Sequence, residues 1–502
     1  MNGKTAFFIF ALFTAFLIPA GPVSAQASAA AQSLDPVPDL LHDLHNLVAH
    51  KPVSLALITG GRSVLGVAAD GVTEMLVRIP AASAGDQFAV TLLNDQGAQS
   101  GSADEDGCLM EPGGTLCGSS LSVQAVDLVS LNANSPVPAA AFVLYRAPVD
   151  FVRPSHPGDA DLSPAQRAVS VQIEPPSTSA AGPALVPVLI VRPPVALIHG
   201  LWGSADSWRL FPLPSDPRFS VYTVDYSGTG GAGIDLNTLI VEGQLFGKAG
   251  YLQEFKTGAD VAAVQFDVVT HSMGGLIARD MAKFPNFLNG TNYRQGSIHK
   301  LITLDTPHLG SQFADILYHT SPACKTLFAL AGMPVAGAVR DLEYQGAFIQ
   351  TLLPATFPLR AHLLAGLASP GQALDTTVEV VLMEGALKAL GLSCQVLPKG
   401  GFPAVFSTPS DPQGSSDLIV SVISQLGESD QPGRAGIAVG GGAPVEDPPY
   451  DGVEHLEGQP GSLTAYFFPG PGPYDPVTPI PQRVTDLLNT PIGPAEFGEI
   501  LP

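Results

Sequence analysis

Residues 266–281 read FDVVTHSMGGLIARDM, and the five at its centre are Thr270-His271-Ser272-Met273-Gly274. They fit the G-x-S-x-G pattern of a nucleophile elbow, except that Thr stands at the first glycine position. An elbow needs a strand, one residue that turns sharply in a strained conformation, and a helix that starts at once. The serine hydroxyl is then presented at the carboxyl edge of a sheet. Phe266–Thr270 is apolar and rich in β-branched residues, as a buried strand is. Beyond Gly275, the spacing of Leu276, Ile277 and Met281 is helical. Thr270 adds bulk, yet a strand tolerates a branched residue and the nucleophile is untouched.

The surrounding sequence repeats the strand-and-helix theme. Val195–Ile198 reads as a buried strand ending in His199-Gly200, and Val221–Val224 and Leu301–Leu304 read as two more. Alternation of this kind predicts an α/β fold, a mostly parallel central sheet covered by helices on both faces. Residues 311–400 predict a long, mostly helical insertion, Phe402–Ser407 a returning strand, and Pro481–Asn489 a closing helix. Gly228-Thr-Gly-Gly-Ala-Gly233 fits G-x-G-x-x-G, but a dinucleotide site needs a helix on that loop and an acidic residue ending the next strand. Ile234-Asp-Leu-Asn does not read as that helix and Gln253-Glu254 ends no strand, so a flexible loop is expected.

The N-terminal part differs. Residues 1–25 carry Lys4, an apolar run from Ala6 to Ile18 and a small-residue site at Val23-Ser24-Ala25, the layout of a secretory signal. The expected destination is outside the cell, or the periplasm and cell envelope. Residues 26–180 hold short alternating segments: Val53–Ile58, Glu74–Ile79, Phe88–Leu93, Leu121–Val126 and Ala141–Tyr145. Turn residues punctuate them as in a small β-sandwich. Leu40–Val48 reads as a short helix bearing His42 and His45, with no third metal ligand nearby. Pro175–Pro183 reads as a linker, leaving 188–502 for the α/β domain.

Net charge is −22 with only 23 Lys and Arg, which excludes the basic stripe that nucleic acid requires. The four cysteines suit an oxidising compartment. Cys108 and Cys117 flank a turn-rich stretch and are expected to pair, a closure worth about 2–3 kcal/mol, leaving Cys324 for Cys394. Zinc-ligand spacing and HExxH are both absent from the sequence, so no metal or other cofactor is expected.

An acyl-transfer serine needs a base, an acid that orients it, and two N–H donors for the oxyanion. The histidines after Ser272 are His299, His308, His319, His362 and His455. Asp417 is the leading acid, with Asp411 as its rival, and of the five histidines only His455 follows either. The N–H groups of Met273 and Leu201 are placed to be the oxyanion donors. His199 is expected to shape its turn and His271 to pack, and core packing is expected of Trp202 and Trp208.

Four motifs in order, ALIHGLWG, DVVTHSMGGLIAR, LITLDTPHLGS and SDLIVSVISQ, resemble the α/β-hydrolase superfamily on its bacterial lipase and esterase side. They are similar to the lipases grouped with inositol-deacylating and lecithin-cholesterol acyltransferase enzymes. The resemblance spans about residues 190–490 and leaves the β-rich region outside. It implies Ser272 as nucleophile, Asp417 as acid, His455 as base, Leu201 and Met273 as oxyanion hole, 311–400 as a cap or lid, and Asp305–His308 as a structural loop. Expected partners are a small-molecule or lipid ester and, in passing, a lipid surface. Acyl transfer to another alcohol is the alternative chemistry. A binding module carried by the β-rich region, with an inactive hydrolase domain, is the alternative class.

Overall fold

The computed structural model describes residues 31–35, 62–128, 138–209, 211–285, 287–352, 359–389, 391, 394–428, 436–439, 445–453, 455 and 480–500. The expected signal segment, the expected helix at 40–48 with His42 and His45, and the expected strand at 53–58 lie outside them.

The N-terminal region is a strand-rich domain of its own. The expected strands are present as Glu74–Ala81, Gln87–Leu93, Ser120–Gln124 and Ala139–Arg146. They divide between two sheets whose facing sides bury Val77, Val143, Val90, Val171 and Val188. Residues 175–183 are the connection of a hairpin rather than an inter-domain linker. Gln166–Glu174 and Ala184–Val191 pair antiparallel on either side of them, from Gln166↔Val191 to Ile173↔Ala184. One strand of the second sheet arrives from far along the chain. Val261–Ala262 pairs in parallel with Gly66–Val67, at the edge of that sheet. Cys108 and Cys117 form a disulfide, as do Cys324 and Cys394.

The central sheet of the second domain contains β1 (Val195–Ile198), β2 (Val221–Val224), β3 (Phe266–His271), β4 (Ile298–Leu304), β5 (Leu359–Leu364) and β6 (Gly498–Ile500). Its order is β2-β1-β3-β4-β5-β6, parallel except for β6. Alternate residues bury against opposite layers, as a sheet covered on both faces demands. Ile198, Val268, Leu301 and Leu363 face a core shared with α1 (Ile234–Phe246) and α2 (Met273–Met281). Leu197, Val269, Ile302 and Leu364 face Trp208, Phe211 and, later in the chain, α5 (Ile480–Leu488). That closing helix buries Val484, Leu487 and Leu488, each worth about 1.5–3 kcal/mol.

Three expectations need correction. Phe402–Ser407 is not a strand, since Gly401–Phe406 is helical and buries Phe402 and Phe406, four apart on one face. The sheet position it was expected to fill belongs to β5, which lies inside the 311–400 stretch and interrupts it. Helices α3 (Gln312–His319) and α4 (Pro370–Ala389) flank that strand in sequence. The third concerns Gly228–Gly233, because α1 opens directly on that loop. Asp341 Oδ2 accepts from Ile234 N (3.0 Å), so the chain's own carboxylate caps this helix end.

Candidate active site

The carboxyl ends of β1, β3 and β4 converge on one place, the usual position for a site in a parallel sheet. Ser272 follows β3 immediately with φ 53° and ψ −128°, a backbone conformation costing about 1–3 kcal/mol in a residue with a side chain. Its N–H is tied to Leu304 O (2.9 Å), and α2 begins at the next residue. Two glycines make the turn sterically feasible. A Cβ on Gly200 would lie 2.6 Å from Ser272 Cβ, and one on Gly275 would lie 2.1 Å from Thr306 Oγ1. Thr270 is wholly buried between Ile198 and Thr303 on the neighbouring strands, so the bulk of threonine is accommodated within the sheet.

His455 and Asp417 meet at this serine. Asp417 Oδ1 accepts from Ile419 N (2.9 Å) and Val420 N (2.7 Å), which fixes the carboxylate through its own turn. Its Oδ2 lies 2.7 Å from His455 Nδ1, and His455 Nε2 lies 2.8 Å from Ser272 Oγ. An ionised carboxylate only accepts, so Nδ1 carries the imidazole proton and Nε2 is left as acceptor for the hydroxyl. The three side chains are all buried. Asp411 instead accepts from Gln413 N (3.2 Å) and Ser415 N (2.6 Å), shaping its own loop.

Leu201 and Met273 flank the serine from two elements, the turn after β1 and the first residue of α2. His199 shapes that turn. Its Nδ1 donates to Gly200 O (2.9 Å), and its ring stacks on Tyr226 at 3.9 Å. Burial holds His199 below the usual histidine range, although Gly200 O and Asp225 pull the other way. Burial, and then the nearby His455 and His199, hold His271 well below it. Its ring lies 4.9 Å from that of His455. A neutral His271 packs against His455 without repelling a positive charge on it.

The two tryptophans part company. Trp208 is a core residue packed edge-on against Phe211. Trp202 is not, because it lines the cleft at Ser272, with Nε1 donating to Pro334 O (3.2 Å). The cleft, of about 60 Å³, has Leu201, Phe313, Leu317, Val339, Leu342 and Ile419 on its walls. Sequence reasoning held Asp305 only as part of a structural loop. It follows β4 directly at φ 48°, fully buried beside Asp417. Its place at the carboxyl end of a strand was the available signal.

Among the described residues no helix is long and apolar enough to cross a membrane. The sequence profile of the alpha/beta hydrolase family matches residues 195–484, more than half of the chain. A search of curated proteins returns no match. Among solved structures, the mature form of the lipase BlEst2 from Bacillus licheniformis is similar at 16% identity, over 52% of this chain and 84% of that one, with a TM-score of 0.31. An extracellular alpha/beta-hydrolase from a Paenibacillus species is similar at 17% identity over 34% and 76%, with a TM-score of 0.21. The family assignment does not lean on these distant likenesses. It rests on the profile match together with the strand order and the turn at Ser272: the chain belongs to the alpha/beta hydrolase family.

Proposed function

We propose that this chain is an exported serine hydrolase that cleaves carboxylic esters with an apolar acyl group. The observation that carries the reading is the pair of contacts made by His455, 2.7 Å to Asp417 and 2.8 Å to Ser272. In this reading His455 Nε2 takes the Ser272 proton as Oγ attacks the ester carbonyl. The oxyanion is held by the Leu201 and Met273 N–H groups, with the positive end of α2 behind them. His455 then returns the proton to the departing alcohol. Water repeats the cycle on the acyl-enzyme and frees the acid. Asp417 keeps the imidazole in the tautomer these steps need, and no step calls for a metal or another cofactor.

The apolar cleft walls support an apolar acyl group. A cleft of about 60 Å³ has room for only a few water-sized groups, which suits short acyl chains better than long ones. The test is steady-state turnover of p-nitrophenyl esters from short to long, beside Ser272→Ala. Short chains should lead, and the substitution should cut turnover by about a million-fold. Activity that survives Ser272→Ala would remove the nucleophile from this reading. Export is supported by the signal-like residues 1–25 and by the two disulfides. The intact mass of protein recovered outside the cytoplasm should lack about the first 25 residues. Retention of Met1 on that protein would count against cleavage.

A further inference from the structure

Asp305 packs against the proposed triad yet has no part in the steps above. Its Oδ1 accepts from Gly366 N (2.6 Å), while its Oδ2 is buried and receives no donor among the described residues. The side chain instead meets Asp417, which is itself an acceptor. One ligand atom from each of Asp305, Asp417 and His455 lies within 4.8 Å of the others. Two dry carboxyl groups in contact do not both ionise. Asp417 has three donors, the N–H groups of Ile419 and Val420 and the His455 ring, whereas Gly366 N is the donor at Asp305. The negative charge therefore belongs on Asp417 and the remaining proton on Asp305. Burial, followed by the Asp417 charge and contact, holds the Asp305 carboxyl well above its usual range.

We propose that Asp305 is a positioning residue for the triad, a carboxylic acid whose Oδ2–H donates to Asp417 and so fixes the carboxylate that orients His455. This rests on the triad reading above. The other groups around it do not supply that proton. His308, on the same loop, is kept neutral by burial and by Arg279, which donates to His308 O (2.9 Å). Gln425 Oε1 accepts from Gly366 N (2.7 Å) as Asp305 does. Asp451 is a further buried acid, on the short strand that pairs with Gly366–Leu367. Raising the pH removes the Asp305 proton and sets two carboxylates against each other, so the orientation of His455 is lost. Asparagine would place an N–H donor at the same spot with no proton to lose.

The experiment is the pH profile of kcat/KM for the full chain, Asp305→Asn and Asp305→Ala, with the low-field proton resonance of His455 Nδ1 followed by NMR. Asp305→Ala should lower kcat by about 10–100-fold with little change in KM. Asp305→Asn should recover most of that loss near neutrality and move the alkaline limb up by about one pH unit or more. An alkaline limb identical in wild type and Asp305→Asn overturns the proposal, and this comparison stands even if the alanine variant does not fold. The resonance should shift with pH along that limb in the wild type and stay constant in Asp305→Asn. It needs no turnover, so it still decides the proposal if Ser272→Ala shows the ester chemistry to be wrong, and a resonance indifferent to both substitutions overturns it. Activity lost on chelation and restored by a divalent cation also overturns it, in favour of a cation between the two carboxylates.

Discussion

The central sheet carries a buried histidine–aspartate pair at each of its ends, and the two differ in one partner. At the carboxyl end, His455 Nδ1 is 2.7 Å from Asp417 and Nε2 is 2.8 Å from Ser272 Oγ. At the amino end, His299 Nδ1 is 2.8 Å from Asp267 and Nε2 is 2.9 Å from Val149 O. A hydroxyl can donate, so His455 can be neutral and accept. A carbonyl cannot, so His299 must donate from both nitrogens and carry charge. Burial opposes that charge, but Asp267, with help from Asp150, outweighs it and raises the His299 pKa. One pair therefore has the geometry that the proposed proton transfer needs, whereas the other ties the central sheet to the N-terminal domain, where Lys300 also pairs with Asp150. A histidine–aspartate contact is not by itself a sign of catalysis; the third group decides.

Three substitutions would break or sharpen this contrast. The largest effect on turnover is expected of His455→Ala, which should cut it by about a million-fold in protein that is still folded at the assay temperature. Turnover within tenfold of wild type would place the base elsewhere. Next comes His299→Ala, which strands a buried Asp267 and should cost about 3–5 kcal/mol of stability by urea unfolding. Turnover at temperatures below its melting point should change little, and a collapse of kcat in fully folded protein would erase the distinction. The smallest effect is a pH dependence. A pKa raised by folding adds stability that is complete below the unfolded value, near 6.5, and fades as pH rises through the folded value. The gap in urea midpoint between wild type and His299→Gln should therefore be wider at pH 6 than at pH 9. A gap that widens toward alkaline pH would mean that His299 is neutral.

What could be read in the sequence was mostly local. The elbow, the closing helix and the Cys108–Cys117 pairing each lie within a few residues, and their spacing alone carries the signal. Cys324–Cys394 then followed by elimination. Chain order brought Asp417, Asp411 and His455 forward as candidates, and the structure has Asp417, rather than Asp411, against His455. Val169, Val171 and Ile173 alternate as a strand requires, beside a Pro-rich stretch that reads more strongly as a linker. β5, Leu359-Arg-Ala-His-Leu-Leu, alternates apolar and polar residues over only five positions, a signal too short to stand out from the apolar helical sequence around it. Trp202 was beyond reach, and Asp305 was legible as a residue at a strand end but not as a partner of Asp417. A tryptophan reads the same in a core and on a cleft wall, and the meeting of Asp305 with Asp417 is made only by the fold.

The strand Val261–Ala262 has a consequence for anyone dividing this protein into parts. The edge of the N-terminal sheet is completed by residues made long after that domain's own last strand, at Ala184–Val191, has left the ribosome. A fragment ending near residue 191 would present Gly66–Ala68 with one side of its ladder open, an invitation to pair with a neighbouring copy. A fragment starting near residue 195 would leave Val261 and Ala262 without the strand that they lie against. The two domains are thus separate in architecture but not in manufacture, and the junction to respect when cutting the chain is a hydrogen-bond ladder rather than a loop.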